Sequence, residues 1–211
     1  MTSSAVNPAR CHSDTSPLDD EGQANARLNA LSFRPVAADG QALPFRDGSF
    51  DAVLCQLGPQ FFPDPAKGLA EFRRVLHPGS RAAVCVISTA DRAPMRGILA
   101  DTLVRFLPER RNLLNLSFSL GDETRLETLL ADAGFRDIHV ERETRTDTLG
   151  SFDEYWLPIE AGTGSIPQCY LALDDDDRRL VRDEAKAKLA QFGTEGKLTM
   201  SVELLIGRGH A

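Results

Sequence analysis

The chain predicts an α/β fold: a sheet that is parallel at its centre, with helices packed on it. Three observations carry that prediction. Residues Phe50–Leu57 are apolar without alternation, with Ala52, Val53, Leu54, Cys55 and Leu57 pointing both ways, as in a strand buried on both faces. Leu69, Phe72, Val75 and Leu76 then recur at helical spacing. Arg81–Ile87 is again continuously apolar, so strand, helix and strand form a βαβ crossover.

The local signals support each element in turn. Asp47-Gly48 is a tight-turn dipeptide ahead of the first strand, and Asp51 reads as structural there. Asp64 is a helix N-cap with Pro65 at the first helical position, and His77-Pro78-Gly79 stops the helix. A helix over 95–107 turns Ile98, Leu99, Leu103 and Phe106 inward. Another starts at the cap Asp122, buries Leu126, Leu129 and Leu130, and ends at Gly134. Residues 137–146 alternate as a strand, with Ile138 and Val140 on one face. Ser151 and Glu154 form a capping box ahead of Tyr155 and Trp156. Asp174 caps a helix whose Asp175–Asp177 complement its dipole, followed by Leu180, Val181, Ala185 and Leu189. Leu198, Met200, Val202 and Leu204 alternate in a final strand. Upstream, residues 1–18 lack hydrophobic period and read as a disordered tail, residues 20–30 as a short helix, and Phe33–Ala38 as a strand.

Composition narrows the function classes. With 211 residues and 42% hydrophobic content, one domain over 19–211 is expected, with 91–211 supplying further helices and the last strands. A net charge of −7 argues against a nucleic-acid partner. No apolar run is long enough to cross a membrane, and the N-terminus lacks an apolar signal core, so a cytoplasmic location is expected. The four cysteines, Cys11, Cys55, Cys85 and Cys169, are far apart and form no disulfide framework, and Cys11-His12 alone does not make a metal site.

The run VAADGQALPFRDGSFDAVLCQLGPQFFPDPAKGLAEFRRVLHPGSRAAVCVIS resembles the second half of class I S-adenosylmethionine-dependent methyltransferases of the type 11 kind. FSLGDETRLETLLADAGFRDIHVERETRT continues the resemblance, as does SFDEYWLP, which is similar to a substrate-side lid helix. The resemblance implies a Rossmann-like sheet of order 3-2-1-4-5-7-6, in which residues 50–57 supply the fourth strand. It implies S-adenosylmethionine as cofactor and a small-molecule methyl acceptor. By this resemblance Asp39 accepts the adenine amine and the Gly40 N–H faces the ring. Backbone near Gln56 and Leu57 meets the methionine portion, and Phe61 closes over the site. Asp39-Gly40 taken alone is equally a plain turn; the LPF and DGSFD that follow favour the cofactor reading. Gln56 reads alternatively as a solvated strand end and Phe61 as a core aromatic.

The family's first strand and Gly-rich loop have no counterpart upstream of Asp39, where Gly22 is the only glycine. The expected fold is therefore a partial sheet lacking the first βαβ cofactor-loop unit, N-terminally truncated, with the edge of the 51–57 strand free to self-associate. Activity is then in question, and a non-catalytic remnant or protein-binding module without cofactor affinity is the alternative. No catalytic residue is named: alignment of acceptor and methyl donor can carry such a transfer. His77 and His139 read as structural, and Tyr155 and Trp156 as core before pocket.

Overall fold

The computed structural model describes residues 36–211. The expected tail, the 20–30 helix, Cys11-His12 and the start of the 33–38 strand lie outside the described residues. Val36–Ala38 carry no regular structure, so that part of the expected strand does not form.

A five-stranded sheet has the order β1-β2-β5-β3, with β4 (Gly193–Thr194) pairing β5. β1 (Phe50–Gln56) runs parallel to β2 (Leu76–Ile87), and β5 (Lys197–His210) is antiparallel to both β2 and β3 (Arg136–Leu149). This is the 4-5-7-6 portion of the expected strand order. β2 begins earlier than expected, at Leu76. Phe50 pairs with Leu76 and Ala52 with Arg81, so His77–Ser80 bulge out of register, with Gly79 at φ 81.

α1 (Pro65–Val75) connects β1 to β2. The Asp64 carboxylate accepts the Lys67 N–H at 3.1 Å and satisfies one orphan donor of the first turn. At the other end, Gly48 and Ser49 donate their N–H groups to the Arg74 and Val75 carbonyls. Gly48 makes that turn at φ 58, a conformation glycine adopts without penalty. Arg74 fixes the incoming chain by donating to Glu71, Asp47 and the carbonyls of Phe45 and Leu43. The Arg74 guanidinium, bonded to Glu71, holds that carboxyl below the usual range despite partial burial.

Two hydrophobic clusters lie on opposite faces of β5. One combines Val53 and Cys55 of β1, Leu69, Phe72 and Val75 of α1, and Val84 and Leu205 with α4 (Glu123–Asp132), which buries Leu126 and Leu130. The other gathers α2 (Pro94–Phe106), α5 (Phe152–Glu160), α6 (Ser165–Leu171) and α7 (Asp175–Leu189) against Leu198 and Met200. A short α3 (Arg111–Asn115) buries Leu114 there. Leu198 and Met200 of β5 face the helical cluster and Leu205 the other. Expected alternation therefore breaks in mid-strand: Val202 and Leu204 are only half-buried, whereas Glu203 is buried.

Four caps match the sequence. Asp122 accepts the Arg125 N–H at 2.7 Å, Ser151 the Glu154 N–H at 3.1 Å and Asp174 the Asp177 N–H at 2.9 Å, alongside Asp64. Glu154 differs from the capping-box expectation: its carboxylate accepts from Gly150, one residue before the cap, at 2.6 Å. Tyr155 and Trp156 are core, with the Tyr155 hydroxyl donating to the Met95 carbonyl at 2.6 Å and burial pushing its pKa up. Cys55 and Cys169 are buried, and burial also raises the Cys85 thiol, consistent with cysteines packed as small apolar groups.

A further expectation needs correction. β1 is buried on one face only: Val53 and Cys55 are inside, but Leu54 is 60% exposed and Ala52 and Gln56 are exposed beside it. No described helix covers that face, and β1 forms a sheet edge among the described residues. The apolar set that follows Asp177 divides: Val181, Ala185 and Leu189 take the buried stripe of α7, and Leu180 is exposed.

Candidate functional site

The site is built where β1 and β2 end. After Gln56 the chain leaves the sheet through Leu57, at φ 54, whose N–H donates to the Cys85 carbonyl at 2.8 Å. A left-handed leucine costs about 1–2 kcal/mol, and the surrounding bonds hold it there. The turn Pro59–Phe61 follows, with Phe61 half-buried and Phe62 buried.

Asp39 and Gly40 lie against this segment. The Asp39 carboxylate accepts the Gln41 N–H at 2.9 Å, its carbonyl accepts from Ala42, and Gln41 Oε1 accepts the Asp64 N–H at 2.7 Å. The turn is thereby tied to the start of α1. A side chain on Gly40 would stand 2.5 Å from the Phe62 ring, and one on Gly68 would also strike that ring. Glycine is thus required at both positions for the main chain to close on Phe62. The structure brings Asp39 and Gly40 together with the 56–62 segment at one end of β1. Asp39 and Gln56 are exposed there.

Sequence reasoning missed Phe62 and Gln60. Phe62 fills the gap between Gly40 and Gly68; the signal was two glycines flanking an aromatic pair. Gln60 is buried, its Oε1 accepts the Ile87 N–H at 3.3 Å, and its carbonyl accepts the Ser119 hydroxyl at 3.0 Å. Its Nε2 has no partner among the described residues. A buried orphan donor at a strand end is costly to leave unmade and marks a place for an acceptor.

Through Gln60 and Ser119 this segment adjoins an open groove of 570 Å³ beyond the end of β2. Thr89, Asn112, Asn115, Phe118, Ser119 and Arg125 are among its lining residues. Ser88, packed behind the lining residue Gly121, donates its hydroxyl to the buried Glu203 carboxylate at 2.8 Å. A side chain on Gly121 would strike Ser88 and one on Gly97 the Ala90 carbonyl, both within 3.0 Å, so the wall is close-packed. His77 and His139 are exposed and stand in strands, away from this end. Among the described residues no cluster of His, Cys, Asp and Glu could hold a metal, and no helix is long and apolar enough to cross a membrane.

Comparison with known proteins fits this arrangement. Residues 12–84 match the model of a methyltransferase domain family, beginning upstream of the resemblance read from the sequence. A demethylmenaquinone methyltransferase of Renibacterium salmoninarum is 34% identical over 114 residues, covering 49% of this chain and 48% of that protein. One from Corynebacterium kroppenstedtii is 44% identical over 73 residues, covering 35% of this chain and 32% of its own. The matches thus span about half the length of these relatives or less. A solved structure from Bacillus halodurans, described as a methyltransferase, superposes with TM-score 0.58 and 17% identity, over 93% of this chain and 79% of its own; at that identity the likeness is one of fold. Over residues 12–84 the chain is thus similar to methyltransferase domains, and its sheet shares the fold of a solved methyltransferase.

Proposed function

We propose that the chain is a S-adenosylmethionine-dependent methyltransferase acting on a small molecule, with the cofactor at Asp39, Gly40, Gln56, Leu57 and Phe61 and the acceptor in the adjoining groove. One observation carries this reading: both places lie beyond the carboxyl ends of the two parallel strands, where open α/β sheets take ligands.

The residues present fit one side of such a cofactor. The exposed Asp39 carboxylate keeps acceptor capacity for an exocyclic amine, since one Gln41 N–H engages only Oδ1. Gly40 leaves the main chain bare beside it, and the orphan Gln60 Nε2 offers a donor at the strand end. When bound, the cofactor supplies an activated methyl group on sulfur for attack by the acceptor's nucleophilic atom. The chain's own part is positioning: the Gln60–Ser119 hydrogen bond couples the cofactor turn to the groove wall.

Calorimetric titration with S-adenosylhomocysteine tests the reading. Micromolar binding is expected, weakened about tenfold or more by Asp39→Ala. Flat heats with wild-type protein would remove the enzyme reading for these 211 residues and leave the alternative, a fold retained without cofactor affinity. The exposed Leu54 and the β1 edge, unpaired among the described residues, support a second part of this proposal, pairing between two copies of the chain. Light scattering should then give a dimer mass that falls to monomer in Leu54→Lys; a wild-type monomer at all concentrations refutes it.

A further inference from the structure

The groove's free hydrogen-bonding groups are unevenly distributed. Among the described residues, two charged side chains line it, Asp122 and Arg125. Asp122 Oδ1 accepts the Arg125 N–H at 2.7 Å, and the positive end of α4 offsets its charge. The Arg125 guanidinium makes no hydrogen bond or ion pair among the described residues. Asn112 and Asn115, three residues apart and so on one side of α3, likewise leave their amides unpaired. The hydroxyls are already taken, Ser119 by the Gln60 carbonyl and Thr89 by Asp91. The donors that remain are one cation and two amides, above the apolar surface of Leu116 and Phe118.

We propose that the groove holds the methyl acceptor by a carboxylate, gripped by Arg125 with Asn112 and Asn115, while the acceptor's flat apolar body lies on Leu116 and Phe118. This rests on the methyltransferase reading and names its substrate class: an aryl or short acyl acid. A guanidinium is a donor-only planar fork that matches a carboxylate bidentately. The 570 Å³ available suits a ligand of one or two rings. In a chain of net charge −7, an unpaired arginine in a groove is also a local attractor for an anion.

The probe is 2-naphthoate against its neutral isostere 2-naphthamide, followed by the side-chain amide resonances of Asn112 and Asn115 and the Arg125 Nε–H. Naphthoate should bind about tenfold tighter than naphthamide, with all three resonances shifting. Arg125→Gln, at an exposed position, should erase that preference, and Asn115→Leu should weaken naphthoate about threefold. Equal binding of the two probes, or a preference that survives in Arg125→Gln, overturns the proposal. S-adenosylhomocysteine titrated separately into the wild-type protein reports the cofactor side. Cofactor binding without naphthoate preference sinks the acid-acceptor inference alone, whereas absence of cofactor binding sinks the methyltransferase reading instead.

Discussion

Trp156→Ala is expected to lower the unfolding free energy by about 3–5 kcal/mol, the range for deleting a fully buried large aromatic. The indole is 1% exposed, stacks on Phe152 with ring centroids 5.3 Å apart and meets Tyr170 edge-on at 5.2 Å. It ties α5 to α6 and receives the Arg182 guanidinium 6.0 Å from its centroid. The alanine variant removes all of these contacts and leaves a cavity bounded by helices that pack on one another and cannot simply collapse. For a chain of this size the melting temperature should fall by roughly 10 °C. Trp156→Phe separates packing from polarity. The indole Nε1 has no partner among the described residues, so phenylalanine keeps most of the contacts and removes a buried unpaired donor. Its cost should be well below that of alanine. Denaturant unfolding of both variants decides: a loss under about 1 kcal/mol for alanine would mean that the helical cluster repacks freely.

Gly97→Val is the second large effect, and here two terms of opposite sign compete. Gly97 lies inside α2, where replacing glycine with a better helix former gains up to about 1 kcal/mol. A side chain there would strike the Ala90 carbonyl, which belongs to backbone and cannot swing away. Overpacking typically costs 1–3 kcal/mol and more when backbone must move, so a net destabilisation of about 3 kcal/mol is expected for valine. Ala90 lines the groove, so the same variant should displace the groove wall and weaken 2-naphthoate binding. Unchanged stability would show that α2 slides along the sheet without cost.

Much of the fold was legible because its signals are local. Asp64, Asp122, Ser151 and Asp174 are short polar side chains ahead of apolar helical stripes, and each accepts the N–H three residues on. The apolar run at Ala82–Ile87 read as a strand because it stands in the interior of the sheet, between β1 and β5. The same reasoning failed at Leu54. Apolarity states what a strand could bury, not what stands ready to cover it, and one face of β1 remains open among the described residues. It failed again at Glu203, where β5 changes the cluster it serves and a carboxylate finds Ser88 as its partner. Asp39 and Gly40 were legible as a motif, whereas Gln60, Phe62 and the groove were not. Their roles arise from contacts between segments far apart in the chain, such as Gln60 with Ser119 and Gly40 with Phe62.

β5 joins the two clusters without mixing them: Leu198 and Met200 serve one face, Leu205 the other. A single ribbon therefore fastens two separately packed halves back to back, like a spine bound into two covers. Residues on the helical side can be exchanged while the side built on β1 and α1 keeps its own interior. Such a partition lets one interior be rebuilt while the other stays as it is.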